Sequence, residues 1–174
     1  MDRQDLTMIS LWVHVPFIIA WIGLVMLDVV ASFAPGLERE QRARLLLWSR
    51  PFVLLALAVI MVTGIWQTIE NPFYRVESWS GLSELKKRSL YGDLLFWKHV
   101  FVIATFGLTL VTRFFLAPRL RDGTEEGAVV TSGGVMALVS ASNVFSLVKT
   151  ASVANLVACL GAVLLATRMV FELH

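Results

Sequence analysis

An all-α membrane protein, built as a four-helix transmembrane bundle, is the fold class this sequence predicts. Three observations predict it. Long apolar runs recur along the chain, each close to the roughly 20 residues that a helix needs to cross a bilayer core. Of the 174 residues, 57% are hydrophobic and only 16% charged, against about 25% charged in a typical soluble domain, and the mean hydropathy is +0.73. Most of the charges fall between the runs, where water can still reach them. Residues 1–174 are therefore read as a single membrane domain, with the lipid bilayer as its first partner.

The first span covers about residues 8–33 and ends at Ala34-Pro35-Gly36, where proline and glycine stop a helix. Pro16 lies one turn inside it, two residues after His14, and loosens the backbone there. The second span is expected at residues 51–69, with Pro51 in the first turn, where its missing N–H is harmless. The third runs over residues 94–117 and ends near Ala117-Pro118. The fourth is expected at residues 150–171, preceded by an interfacial lead-in over residues 135–148, with Lys149 snorkelling to the headgroups. Ala151, Ala154, Ala158, Gly161 and Ala162 give this last span a small-residue surface suited to close packing.

Between the second and third spans, Trp79, Leu82, Leu85 and Leu90 alternate with Lys86, Lys87 and Arg88. That spacing predicts a short amphipathic helix on the membrane surface. Trp12, Trp66 and Trp97 fall near span ends, as aromatic-belt residues do. Lys and Arg divide eight to seven between the two sides. The basic first connection (Arg39, Arg42, Arg44, Arg50) and the acidic N-terminus favour both termini outside, in an expected bacterial inner (plasma) membrane.

Several function classes drop out. No Lys/Arg-rich stretch fits nucleic acid. Nucleophile motifs, phosphate loops and zinc motifs are missing from the sequence, so a hydrolase or ATPase is not expected. The single cysteine, Cys159, lies in the last apolar run and reads as a small packing residue.

What remains is a set of ionisable residues inside the spans, which are costly there and need a reason. His14 lies near the start of span one; Lys98 and His99 lie near the start of span three. These spans run in the same direction, so the histidines are expected at similar depth near one face. Fourteen residues after His14 comes Asp28, and fourteen after His99 comes Arg113. Fourteen residues is close to four turns and roughly 21 Å. The equal offsets predict that spans one and three are neighbours in register and that Asp28 and Arg113 form an ion pair near the opposite face. Trp21, seven residues after His14, continues the same stripe, as a packing residue or a cofactor contact. Gln67 and Glu70, at the end of span two, are placed to orient an imidazole.

Three fillings suit two histidines in a bundle. One is haem b with both imidazoles as axial ligands, with Lys98 and Arg168 near its propionates. Another is copper, with His14 and His99 as metal ligands and Met26 and Met61 as the soft donors inside spans. The third is no cofactor, the imidazoles hydrogen-bonding to backbone or water.

Three stretches also resemble a known family. His14-x6-Trp21-Ile22-Gly23, the run VTGIWQTI (Val62 to Ile69), and SLYGDLLFWKHVFV (Ser89 to Val102) are similar in order and spacing to motifs of the copper resistance protein D (CopD) family. The likeness covers Leu11 to Leu120 and implies copper handling. Two departures stand out: Leu24 replaces a second glycine, and the chain has four spans where full-length members often have eight. The four-helix haem proteins of the HemJ type, protoporphyrinogen oxidases, are closer in length. There the match implies His14 and Lys98 as functional residues, so Lys98 and His99 compete for the second place. The expectation is thus an integral membrane redox protein, a haem b electron carrier or an oxidoreductase subunit, working with a quinone or a partner protein. A homo-oligomer or a larger membrane complex is its expected setting. CopD-like copper transport, a HemJ-like oxidase and a cofactor-free structural subunit are the alternatives.

Overall fold

A computed structural model of the chain describes residues 3–70, 76, 78–122 and 141–171. Every regular element among them is helical: α1 (Arg3–Phe33), α2 (Arg39–Ile69), α3 (Trp79–Arg88), α4 (Leu90–Leu110), a π-helical turn (Val111–Leu116), α5 (Ala117–Asp122) and α6 (Ala141–Phe171). Four stretches are long and apolar enough to cross a membrane: Asp5–Phe33, Arg39–Ile69, Leu90–Leu120 and Asn143–Phe171. The third consists of α4, the π turn and the start of α5.

All four helices are longer than hydropathy alone indicates. α2 begins at Arg39, not Pro51, and Pro51 lies inside it. The arginines expected in a connection form its first turns. They are good helix formers, and a capping box starts them: Gln41 Oε1 accepts from the Glu38 amide at 3.0 Å. α6 likewise begins at Ala141, so Lys149 lies within the helix instead of ahead of it. Its ammonium sits over the rings of Phe145 and Phe33, 4.4 and 5.1 Å from their centroids, which satisfies the charge without a break in the helix. Residues 135–140 of the expected lead-in lie outside the described residues, as does Arg75 of the expected charge count. The third span carries on past Ala117. Pro118 lies inside this continuous helix, directly after the π turn, whose wider hydrogen-bond ladder runs up to the Ala117 amide on the Thr112 carbonyl.

The surface helix is α3. Ser78 caps it by accepting from the Gly81 amide at 3.1 Å, and Ser89 caps α4 in the same way at 3.0 Å from Gly92. Gly92 is required here. A Cβ on it would lie 2.2 Å from the Leu85 carbonyl oxygen, so a side chain would push α3 off α4.

α1 packs on α2 and α6; α4 packs on α6 and α3; α2 meets the third span through α5 and the π turn. Spans one and three are therefore diagonal, not adjacent. Three buried apolar layers fill the bundle. Leu82, Leu94, Leu95 and Met169 form the layer at the α3 end. Trp21, Val25, Val53, Leu57, Ile60 and Cys159 form the middle. Ala43, Leu46, Leu116, Leu120 and Val148 form the layer at the far end. The outside of the bundle stays apolar: Trp12, Val62, Leu164 and Phe171 are each at least 70% exposed, as lipid-facing side chains are.

Candidate functional site

The two ends of the bundle hold different polar chemistry. At the far end, Asp28 and Arg113 meet across the diagonal. Arg113 Nη2 donates to both Asp28 carboxylate oxygens, at 2.6 and 2.7 Å. Nη1 donates to Ser49 Oγ at 2.6 Å and to the Leu46 carbonyl. Arg113 is 1% exposed and Asp28 5%, so four of the five guanidinium protons are held by α1 and α2 in a dry interior. Adjacent helices lie 8–10 Å apart; only a side chain as long as arginine spans a diagonal from one side.

Further hydroxyls and an amide extend this cluster. Ser32 Oγ donates to the Asp28 carbonyl at 2.7 Å and lies 3.4 Å from Ser152 Oγ. Asn155 Nδ2 donates to Thr109 Oγ1 at 2.9 Å. The cluster thus ties α1, α2, α6 and the third span together, and the π turn carries Arg113 into it.

At the other end, His14 and His99 both rest on α2. His14 Nδ1 lies 2.6 Å from Thr63 Oγ1. Thr63 Oγ1 also lies 2.6 Å from the Val59 carbonyl; with its one proton donated there, the hydroxyl accepts from His14 Nδ1–H, the tautomer that leaves Nε2 as the lone pair. His99 Nδ1 lies 2.7 Å from the Leu95 carbonyl. A carbonyl only accepts, so this Nδ1 also carries the proton and Nε2 again keeps the lone pair. That Nε2 lies 3.3 Å from Thr68 Oγ1, whose own proton is directed to the Gly64 carbonyl at 2.8 Å.

Thr63 and Thr68 are five residues apart, which staggers the two contacts by roughly 7.5 Å along α2. On the helix surface the bare backbone of Gly64 lies between them, and a Cβ there would meet His14 Cε1 at 3.3 Å. Lys98 is half-buried beside the histidines, and its charge acts on both imidazoles. Among the described residues it makes no hydrogen bond or ion pair. Arg168 is exposed on the last turn of α6, at the same end. Trp21 lies in the middle core layer, seven residues and about 10 Å deeper than His14.

The threonines are what sequence reasoning missed. Gln67, expected beside an imidazole, instead donates from Nε2 to Ser10 Oγ at 3.3 Å. Thr63 and Thr68 were legible only as part of the VTGIWQTI run, which the structure places under both histidines.

For metal chemistry, no group of three or more His, Cys, Asp or Glu side chains able to hold an ion occurs among the described residues. Met26, twelve residues past His14 on α1, is 51% exposed. The chain matches no protein-family model, no curated protein and no solved structure.

Proposed function

We propose that this integral membrane protein binds one haem b through His14 and His99 and serves one-electron transfer at the α3 end of the bundle. One observation carries the reading: each imidazole commits Nδ1–H to a protein acceptor and leaves Nε2 as a lone pair, on diagonal helices at the same end. A committed Nδ1 is the usual partner arrangement of a histidine that ligates through its other nitrogen. Diagonal helices leave room for a flat group between two imidazoles that neighbours at 8–10 Å do not. Ligation by His99 exchanges its long Thr68 contact for a metal bond. The bare Gly64 backbone gives the ring space, and Lys98 and Arg168 bring cations to the end where propionates would lie. The haem supplies the redox couple; the protein holds it, orients the ligands through Thr63 and Leu95, and sets the charge around it.

The resemblance of Val62–Ile69 and Ser89–Val102 to CopD-type motifs, and of His14 and Lys98 to the functional histidine and lysine of the HemJ type, supports the same end of the molecule as the working site. An optical spectrum of the detergent-purified protein, oxidised and dithionite-reduced, with iron and copper analysed on the same sample, tests the reading. A Soret band with a sharp reduced α-band, converted or lost in both His14→Ala and His99→Ala, is expected. If His99→Ala leaves the spectrum unchanged and Lys98→Ala abolishes it, Lys98 is the second residue and the bis-histidine assignment is wrong. A colourless protein expressed with ample haem refutes the haem; bound copper then points to metal handling. Without copper, the histidine–threonine contacts are helix ties.

A further inference from the structure

Between the last turn of α2, the first turn of α3 and α4 lies a cleft of about 230 Å³. Its floor is Thr68, Leu82 and His99, and its rim includes Ile65, Ile69 and Trp79. The rim residues are 40–52% exposed although apolar, and both isoleucines lie on the outward side of a membrane-spanning helix. The mouth therefore opens to lipid. The polar atoms are inside. The Thr68 hydroxyl gives its proton to the Gly64 carbonyl at 2.8 Å and rotates about its C–O bond to donate to an acceptor in the cleft; Ser78, the N-cap of α3, also lines the cleft.

We infer that this cleft binds the ring of a membrane quinone. An occupant must be polar at its inner end and apolar where it leaves towards the bilayer. A phospholipid has the reverse orientation at a membrane surface, because its headgroup seeks water. A quinone fits: a ring carbonyl accepts from the Thr68 hydroxyl, and its tail leaves past Ile65 and Ile69. The volume is below the 300–1,000 Å³ of sites for drug-sized ligands, which matches one substituted ring and not a macrocycle. The ring would stack beside Trp79, itself held against Phe96 with centroids 5.4 Å apart. Binding needs no haem. That the quinone exchanges electrons with a haem across the His99 wall rests on the reading above.

The test uses the full chain in phospholipid nanodiscs with a photoreactive azidoquinone, the attachment site being mapped by mass spectrometry. Label is expected within residues 65–69 and 78–82, displaced by decylubiquinone and not by oleic acid. Ile69→Trp, which fills the mouth without touching the core, is expected to cut labelling at least tenfold. Thr68→Val is expected to weaken displacement by decylubiquinone about fivefold, for one lost hydrogen bond. Unreactive Cys159 in each variant confirms that it is folded. Label spread over the lipid faces of α1 and α6, equal displacement by oleic acid, or full labelling of Ile69→Trp each overturns the proposal. The dithionite-reduced spectrum reports separately on the haem.

Discussion

Breaking the Asp28–Arg113 pair from its two sides should have unequal consequences. Removing one partner of a buried pair costs about 3–5 kcal/mol. Asp28→Asn leaves a guanidinium that cannot give up its proton, so its cost is expected at the upper end of that range. Arg113→Gln leaves a carboxylate, which has an escape. Protonating a carboxylic acid of ordinary pKa, about 3.9, costs about 4 kcal/mol at pH 7 and about 1.5 kcal/mol at pH 5, which caps the charge penalty. The lost contacts to Ser49 Oγ and the Leu46 carbonyl add about 1 kcal/mol each. Arg113→Gln should therefore recover up to about 2.7 kcal/mol between pH 7 and pH 5, and Asp28→Asn should not. The double variant removes both charges and should be about 2–3 kcal/mol more stable than the sum of the single losses. The assay is built in: Cys159 is the only cysteine and is 0% exposed. A fluorogenic maleimide that reacts only on unfolding reports the melting temperature, at about 2–4 °C per kcal/mol for a chain of this size. Additive single losses, or an Arg113→Gln melting point insensitive to pH, would refute the reasoning.

Three further outcomes are expected. Gly92→Ala should cost about 1–3 kcal/mol by overpacking, because its Cβ meets the Leu85 carbonyl; limited proteolysis should then cut at α3 before the spans melt. Gly64→Ala, whose Cβ meets only the edge of the His14 ring, should shift the melting point by less than about 3 °C yet change the haem spectrum; an unchanged spectrum would remove Gly64 from the site. Asn155→Leu strips the hydrogen bond from Thr109 Oγ1 and should cost about 1–3 kcal/mol, read by the same maleimide melt.

How much of this was legible in the sequence follows from what each residue signals. The spans were legible because an uninterrupted apolar run of that length suits a bilayer and little else. Their starts were not. Residues 39–50 carry Arg39, Arg42, Arg44 and Arg50 around Leu45, Leu46 and Leu47, which a hydropathy window reads as a connection, while the capping box at Glu38 and Gln41 marks a helix start. Lys149 looked like a boundary because a lone charge in an apolar run is costly, and the two rings that offset it are 4 and 116 residues away. The equal fourteen-residue offsets picked out Asp28 and Arg113. They misplaced the helices as neighbours, because register says nothing of separation and an arginine side chain reaches across a diagonal. Thr63 and Thr68 stayed hidden: a hydroxyl within an apolar run has no period, and its role depends on what the opposite helix presents.

The contrast between the two ends argues for where function lies. At the far end each charge is cancelled within the protein. Asp28, Ser49 and the Leu46 carbonyl hold both Nη atoms of Arg113, and the serines, Thr109 and Asn155 extend the cluster across four helices, while Arg113 Nε, Thr112 Oγ1 and Asn155 Oδ1 have no hydrogen-bond partner among the described residues. Such a site fixes register by cancelling its two charges against each other. At the α3 end the balance is left open: two imidazoles keep a lone pair each, and Lys98 has no counter-charge among the described residues. A membrane protein gains no stability from an ammonium that no described carboxylate pairs, set beside two imidazoles. The same end also carries the surface helix, the glycine-enforced contact that holds it on α4, and a cleft that opens to lipid with its polar atoms inside. Burial is used at one end to remove chemistry and at the other to keep it available, so ligand, electron and partner experiments belong at the histidine end.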